Sequence, residues 1–144
     1  MDRNAPPGGT RKEDHLPLQA AKLWLDAYFR GEDPDIKVPL NLEGTPFQRQ
    51  IWQLLLTIPF GETRTYGFLA REAAAKMRRE KMSAQAVGQA VGKNPVSILV
   101  PCHRVVGAGG ALTGYASGLE KKRWLLCHEG WQLGDDKIQS KRSG

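Results

Sequence analysis

The stretch Thr65 to Asn94 reads TYGFLAREAAAKMRREKMSAQAVGQAVGKN. It carries two helix signals in a row. Thr65 is a good N-cap for a helix over residues 66–81, and Ser83 caps a second over 84–94. Asn94-Pro95 ends the second, because a residue before proline is pushed out of the helical region. Two helices joined by a tight polar connection form either a helix-turn-helix or a plain αα-hairpin. The residues of the stretch leave both open. The segment AAAKMRREKMSA within it reads as a solvated helix extension, or as a phosphate contact made by Lys76, Arg78, Arg79 and Lys81.

Upstream, GTPFQRQIWQLLLTIPFG (44–61) starts with Thr45 as N-cap, Pro46 at the first helical position and Gln48 completing a capping box. Phe47, Ile51, Leu54, Leu55 and Ile58 form its apolar face, and Pro59 ends it. Farther back, Leu18, Ala21, Leu25, Tyr28 and Phe29 recur at helical spacing before a Gly31 stop. Residues 1–15 read as a disordered tail, 16–44 as a helix and linker, and 45–132 as the main domain. Downstream, VSILV (96–100) reads as a buried strand that Pro101 interrupts, and CHRVV (102–106) as a return to extended chain. A last helix over LEKKRWLLCHEG presents Leu119, Trp124, Leu125 and Cys127 on its apolar face, with Gly130 past its end. Residues 133–144 read as a polar, frayed tail.

The chain of 144 residues suits one domain, and 40% hydrophobic with 25% charged residues is an ordinary globular composition. A formal charge of +6 favours a polyanionic partner, although charge alone is a weak signal. Nothing resembles a signal peptide or a membrane span. Two cysteines are too few for a disulfide scaffold, so a reducing cytoplasm is the expected location.

The chemistry concentrates at Val100-Pro101-Cys102-His103-Arg104. The Cys102-His103 and Cys127-His128 pairs invite a zinc site, but structural zinc pairs are separated by about two to four residues. Cys127, on an apolar helix face, reads as a small buried thiol. Cys102 is either a core residue or a nucleophile. The proline, the imidazole and the cation beside it favour the reactive thiolate.

The string NPVSILVPCHRVVGAGGALTGYASGLEKKRWLLCHEG, with GTPFQRQIWQLLLTIPFGETRTYGFLA before it, resembles the C-terminal domain of O6-alkylguanine-DNA alkyltransferases. The likeness covers about residues 16–132. It implies a mainly α domain with a short β element, a winged helix-turn-helix-like catalytic fold. It implies a monomer that binds double-stranded DNA through the minor groove and flips the alkylated guanine out of the stack. The alkyl group then passes irreversibly to Cys102, one event per molecule and without cofactor or metal, with O4-methylthymine as a further substrate.

The roles that the resemblance implies are specific. Cys102 is the nucleophile, His103 takes its proton, and Glu129 orients and charges His103. Tyr66 donates to the departing guanine, and Lys122 assists near it. Thr65, Tyr66, Gln85, Ala86, Gly88 and Lys93 face DNA. Val100, Pro101, Tyr115, Ala116 and Ser117 line the base pocket, while Asn94 and Arg104 brace it. The bland alternatives are a helix-end carboxylate for Glu129, a half-buried core aromatic for Tyr66 and a solvated cation for Lys121 and Lys122.

The sequence departs from the family at Gln85, where relatives place the arginine that fills the hole left by the flipped base. That departure motivates an alternative, a damage-recognition binder with weak or no transfer. A second departure is at the front, where the N-terminal domain of many relatives is expected to be largely absent.

Overall fold

The computed structural model describes residues 12–34, 38–113 and 118–141, with the side chains of the first helix described from Leu18 on. The chain divides into two compact units between Asn41 and Leu42. In the first, helix α1 runs from Lys12 to Phe29, so the expected tail already turns helical at residue 12; residues 1–11 lie outside those described. Gly31, at φ 90°, closes that helix in the left-handed conformation that a Cβ would disfavour.

The second unit is built on α2 (Pro46–Leu56), α3 (Tyr66–Lys76), α4 (Ala84–Gly92) and α5 (Leu119–His128). The capping box of α2 is formed: Gln48 N–H donates to Thr45 Oγ1 at 3.0 Å, and Thr45 N–H donates to Gln48 Oε1 at 3.0 Å. Ile51, Trp52, Leu54 and Leu55 of α2 are buried, and Trp52 Nε1 donates to the Ala90 carbonyl at 2.9 Å. That bond fixes α2 against α4 and satisfies an indole that the core would otherwise strand. Leu69, Ala70, Ala73 and Ala74 of α3 and Val87, Ala90 and Val91 of α4 complete this core. Small alanines let the helices approach closely. Thr65 and Ser83 cap α3 and α4 as expected.

Helix α3 is shorter than its sequence suggested. It ends at Lys76 and does not continue to residue 81. Arg79 N–H donates to Ala74 O at 2.8 Å and Arg78 N–H to Ala75 O at 3.3 Å, with Arg78 at φ 56°. This is a Schellman stop with arginine where glycine is usual. Helix propensity favoured continuation, and the tertiary need to start α4 at Ser83 overrode it. The basic segment 77–82 is therefore a connecting turn.

The β content is small. β1 (Arg64–Thr65) pairs in parallel with β2 (Val105–Val106), joining the start of α3 to the segment after Cys102. The expected strand over VSILV is a set of turns instead. Only a bridge from Ser97 to Val100 forms, Val100 N–H donates to Val96 O at 3.0 Å, and Ile98 adopts φ 76°. A left-handed β-branched residue is costly, so the surrounding contacts impose it. Cys102–Arg104 is one 3-10 turn, and extended chain resumes only at Val105.

Two further expectations fail near the C-terminus. On α5 the buried side chains are Lys122, Leu125 and Leu126, while Leu119, Trp124 and Cys127 are exposed. The apolar positions did not mark the inward face because a lysine takes a core position. The polar tail is also structured: β3 (Trp131–Leu133) pairs antiparallel with β4 (Ile138–Lys141). The Gly134-Asp135-Asp136 turn between them is a hairpin signal. Arg142 to Gly144 lie outside the described residues. Among the described residues no helix is long and apolar enough to cross a membrane.

Candidate active site

The Cys102 turn is held from behind by one asparagine. Asn94 Nδ2 donates to Val100 O at 2.7 Å, and Val96 N–H donates to Asn94 Oδ1 at 2.9 Å. The same Val100 carbonyl accepts from Cys102 N–H at 2.8 Å, with Pro101 between them at φ −82° and ψ 67°. Those angles make an inverse γ-turn, for which proline's fixed φ is suited. Asn94 thus ties the two ends of the segment Val96 to Val100 together. Val100, Pro101, Cys102, His103 and Arg104 are all buried.

Behind this turn lies a carboxylate with an unusual number of donors. Glu129 caps α5 at its C-terminal end, where Gly130 at φ 104° turns the chain away. Its Oε2 lies 2.7 Å from His103 Nε2, and its Oε1 accepts from Gly61 N–H at 2.8 Å. Arg104 Nε donates to both oxygens at 2.9 and 3.1 Å, and its Nη2 donates to Oε2 at 3.0 Å. Arg104 Nη1 reaches Ile58 O at 2.8 Å. Burial raises the Glu129 pKa, but the His103 and Arg104 hydrogen bonds and charges outweigh it and hold the pKa at about 2. The carboxylate is ionised at any physiological pH.

That charge state settles the histidine. An ionised carboxylate only accepts, so His103 Nε2 must carry the proton between them. Burial drives the His103 pKa below its usual value, against the opposing pull of Glu129, and the ring is neutral near pH 7. A neutral ring with Nε2–H presents a lone pair at Nδ1. The arrangement can accept a proton at Nδ1 and disperse the resulting charge into Glu129. An adjacent thiol is the group that such a base would activate.

Lys122 is the second surprise. It is fully buried and not solvated, unlike Lys121, which is exposed. Its Nζ donates to Val105 O at 2.6 Å and to Thr113 O at 3.1 Å. Burial lowers its pKa to about 8, while the charge of Cys102 pulls it back up. By the same coupling a Lys122 ammonium favours the Cys102 thiolate. Lys122 also fixes Thr113, whose hydroxyl donates to the Tyr66 hydroxyl at 3.2 Å. The Tyr66 ring lies beside α4, so that a Cβ at Gly88 would be 3.8 Å from its Cε1. Tyr66 is only partly buried, and its hydroxyl accepts from Thr113 Oγ1.

Of the residues expected to face DNA, Gln85 is exposed on the first turn of α4, Ala86 and Gly88 are half-buried, and Lys93 is exposed at its end. Thr65, the α3 cap, is half-buried. Tyr115, Ala116 and Ser117 lie outside the described residues. Among the described residues no group of three or more His, Cys, Asp or Glu side chains is arranged to hold a metal ion. Sequence reasoning treated Arg104 as a brace and missed its grip on Glu129. It also missed the Gly61 amide, Thr113 and the C-terminal hairpin.

Known proteins resemble this chain in sequence and in fold. The model of the 6-O-methylguanine DNA methyltransferase DNA-binding domain matches residues 46–131. The methylated-DNA–protein-cysteine methyltransferase of Mycobacterium bovis is 53% identical over 102 residues, covering 71% of this chain and 59% of that protein. Its counterpart in Methanosarcina acetivorans is 51% identical over 113 residues, covering 78% and 69%. The crystal structure of Mycobacterium tuberculosis OGT in complex with DNA superimposes with a TM-score of 0.70 at 50% identity, covering 78% of this chain and 66% of that one. The chain thus spans less than two thirds of the length of the Mycobacterium bovis relative. With its buried Cys102, His103 and Glu129 on a mainly helical, small-sheet fold, the chain belongs to the 6-O-methylguanine DNA methyltransferase family.

Proposed function

We propose that this protein repairs duplex DNA by taking the alkyl group of O6-alkylguanine onto Cys102. The single observation that carries the reading is the Cys102 turn backed by a neutral His103 whose Nε2 proton is fixed on an ionised Glu129. In the proposed step the Cys102 thiol gives its proton to His103, directly or through a water. The thiolate attacks the alkyl carbon, an S–C bond forms and the C–O6 bond breaks. The electron pair of that bond goes to guanine, and the Tyr66 hydroxyl donates toward the leaving base. A thioether is stable, so the protein acts once.

The domain at 45–132 would meet the duplex through α3 and α4, as a monomer and from the minor groove. The small residues Ala86 and Gly88 suit close approach, and Gln85 at the exposed start of α4 would occupy the gap left by the flipped base. Val100 and Pro101, with the loop of Tyr115 to Ser117, would line the pocket. O4-methylthymine is a further substrate of the same chemistry.

The reading of a binder that transfers nothing is weaker, since the chain keeps Cys102 next to a His103 that is paired with Glu129. Incubation with an excess of O6-methylguanine duplex tests the proposal. Methyl transfer should saturate at one equivalent per protein, and continued turnover or no uptake would refute it.

A further inference from the structure

Beyond the site residues, we propose that the C-terminal hairpin is a positioning element for Glu129, with Lys141 as its positioning residue. The inference rests on reading Cys102 as the alkyl acceptor and extends it to a segment whose sequence looked like a frayed tail. β4 carries Lys141 to the back of the site. Its ammonium donates to the Gly61 carbonyl and, at 2.9 Å, to the Glu129 carbonyl. The amide of that same Gly61 donates to Glu129 Oε1 at 2.8 Å. One cation therefore fixes the backbone on both sides of the carboxylate that holds His103.

The neighbouring glycines fit this role. A Cβ at Gly61 would run into Lys141 Nζ, and one at Gly130 would sit 3.2 Å from Lys141 Cε. The Lys141 ammonium also lies 5.1 Å from the Trp131 ring centre, so the cation is held from its own hairpin as well. At its other end the hairpin secures the loop that leads to Thr113. Leu112 N–H donates to Asp136 O at 2.8 Å, Ala111 bridges to Lys137, and Arg123 Nη1 on α5 reaches Gly134 O at 2.9 Å. Thr113 in turn meets Lys122 and Tyr66. The hairpin thus ties the carboxylate side of the site to the tyrosine side.

A plain C-terminal helix cap would also place a lysine on the Glu129 carbonyl. Two readouts separate positioning from capping: the transfer rate against DNA affinity, and the His103 Nε2 proton followed by NMR in the protein without DNA. For Lys141→Met the single-turnover rate constant at saturating duplex should fall about tenfold with the dissociation constant unchanged. The His103 Nε2 proton should exchange with water markedly faster, and Lys141→Arg should restore both. Lys141→Gln, which keeps an N–H donor, is the milder variant and should fall between. Wild-type rate and exchange in Lys141→Met would overturn the proposal, as would a lower melting temperature with the His103 proton undisturbed. If wild-type protein takes up no methyl group yet its His103 proton loosens in Lys141→Met, the clamp stands and the transfer reading fails.

Discussion

The exposed face of α4 and the Cys102 turn are built on opposite principles. Gln85, Gln89 and Lys93 stand exposed along α4 and at its end. Around Cys102 the polar groups are buried and multiply bonded: Glu129 alone engages His103, Arg104 and Gly61. A surface that must fit a deformable partner gains from side chains that adapt. A site that must hold a base in one tautomer gains from donors that leave the carboxylate no other position. Substitutions should therefore be graded by which region they touch.

The largest effect is expected at Glu129. Glu129→Ala leaves the Arg104 guanidinium buried without its partner and should cost about 3–5 kcal/mol in urea unfolding. Glu129→Gln, nearer in shape, should still lower the single-turnover rate by about a hundredfold or more through loss of the His103 orientation. A variant with normal rate would erase the contrast between the two regions.

Acid titration comes next. The His103 pKa is depressed in the folded protein, so below pH 6.5 the unfolded chain takes up a proton that the folded one refuses. Stability should fall as pH drops through that range. Glu129 is also depressed, from 4.5 to about 2, so its contribution is present above pH 4.5 and is lost as pH falls towards 2. Thermal melts across these windows should show two successive losses in wild type; in His103→Gln the upper one should vanish and the lower one should shift, since His103 helps to hold the Glu129 pKa down.

Effects on the side proposed to meet DNA should be smaller and confined to binding. Replacing Arg78, Arg79 and Lys81 by alanine should flatten the plot of log affinity against log salt by about 0.9 for each phosphate no longer neutralised. The rate at saturating duplex should not change. Gln85→Arg should tighten duplex binding a few-fold and leave stability within about 0.5 kcal/mol, as at other exposed positions. A rise of orders of magnitude in the saturating rate would instead show that base delivery at Gln85 limits the reaction.

The same contrast explains what could be read from the sequence. Helix caps are local chemistry, so Thr45, Thr65 and Ser83 announced α2, α3 and α4 directly. The end of α3 was not legible, since the stop at Arg78 uses a residue that ordinarily favours helix. Cys102, His103 and Glu129 were found through a family resemblance that local spacing could not supply, because residues 103 and 129 meet only in the fold. Lys122 looked like one of two solvated cations, and its burial depends on carbonyls of Val105 and Thr113 that no pattern reveals. Lys141 carried no signal at all, being a polar residue on a short strand that pairs with Trp131.

Whether Cys102 is the alkyl acceptor can be decided by peptide mapping of the protein after reaction with O6-methylguanine duplex. One methyl group is expected, on the peptide containing buried Cys102, and none when Cys102→Ser is used. A methyl group on exposed Cys127, or an unmodified Cys102 at saturating duplex, would refute transfer to the buried thiol.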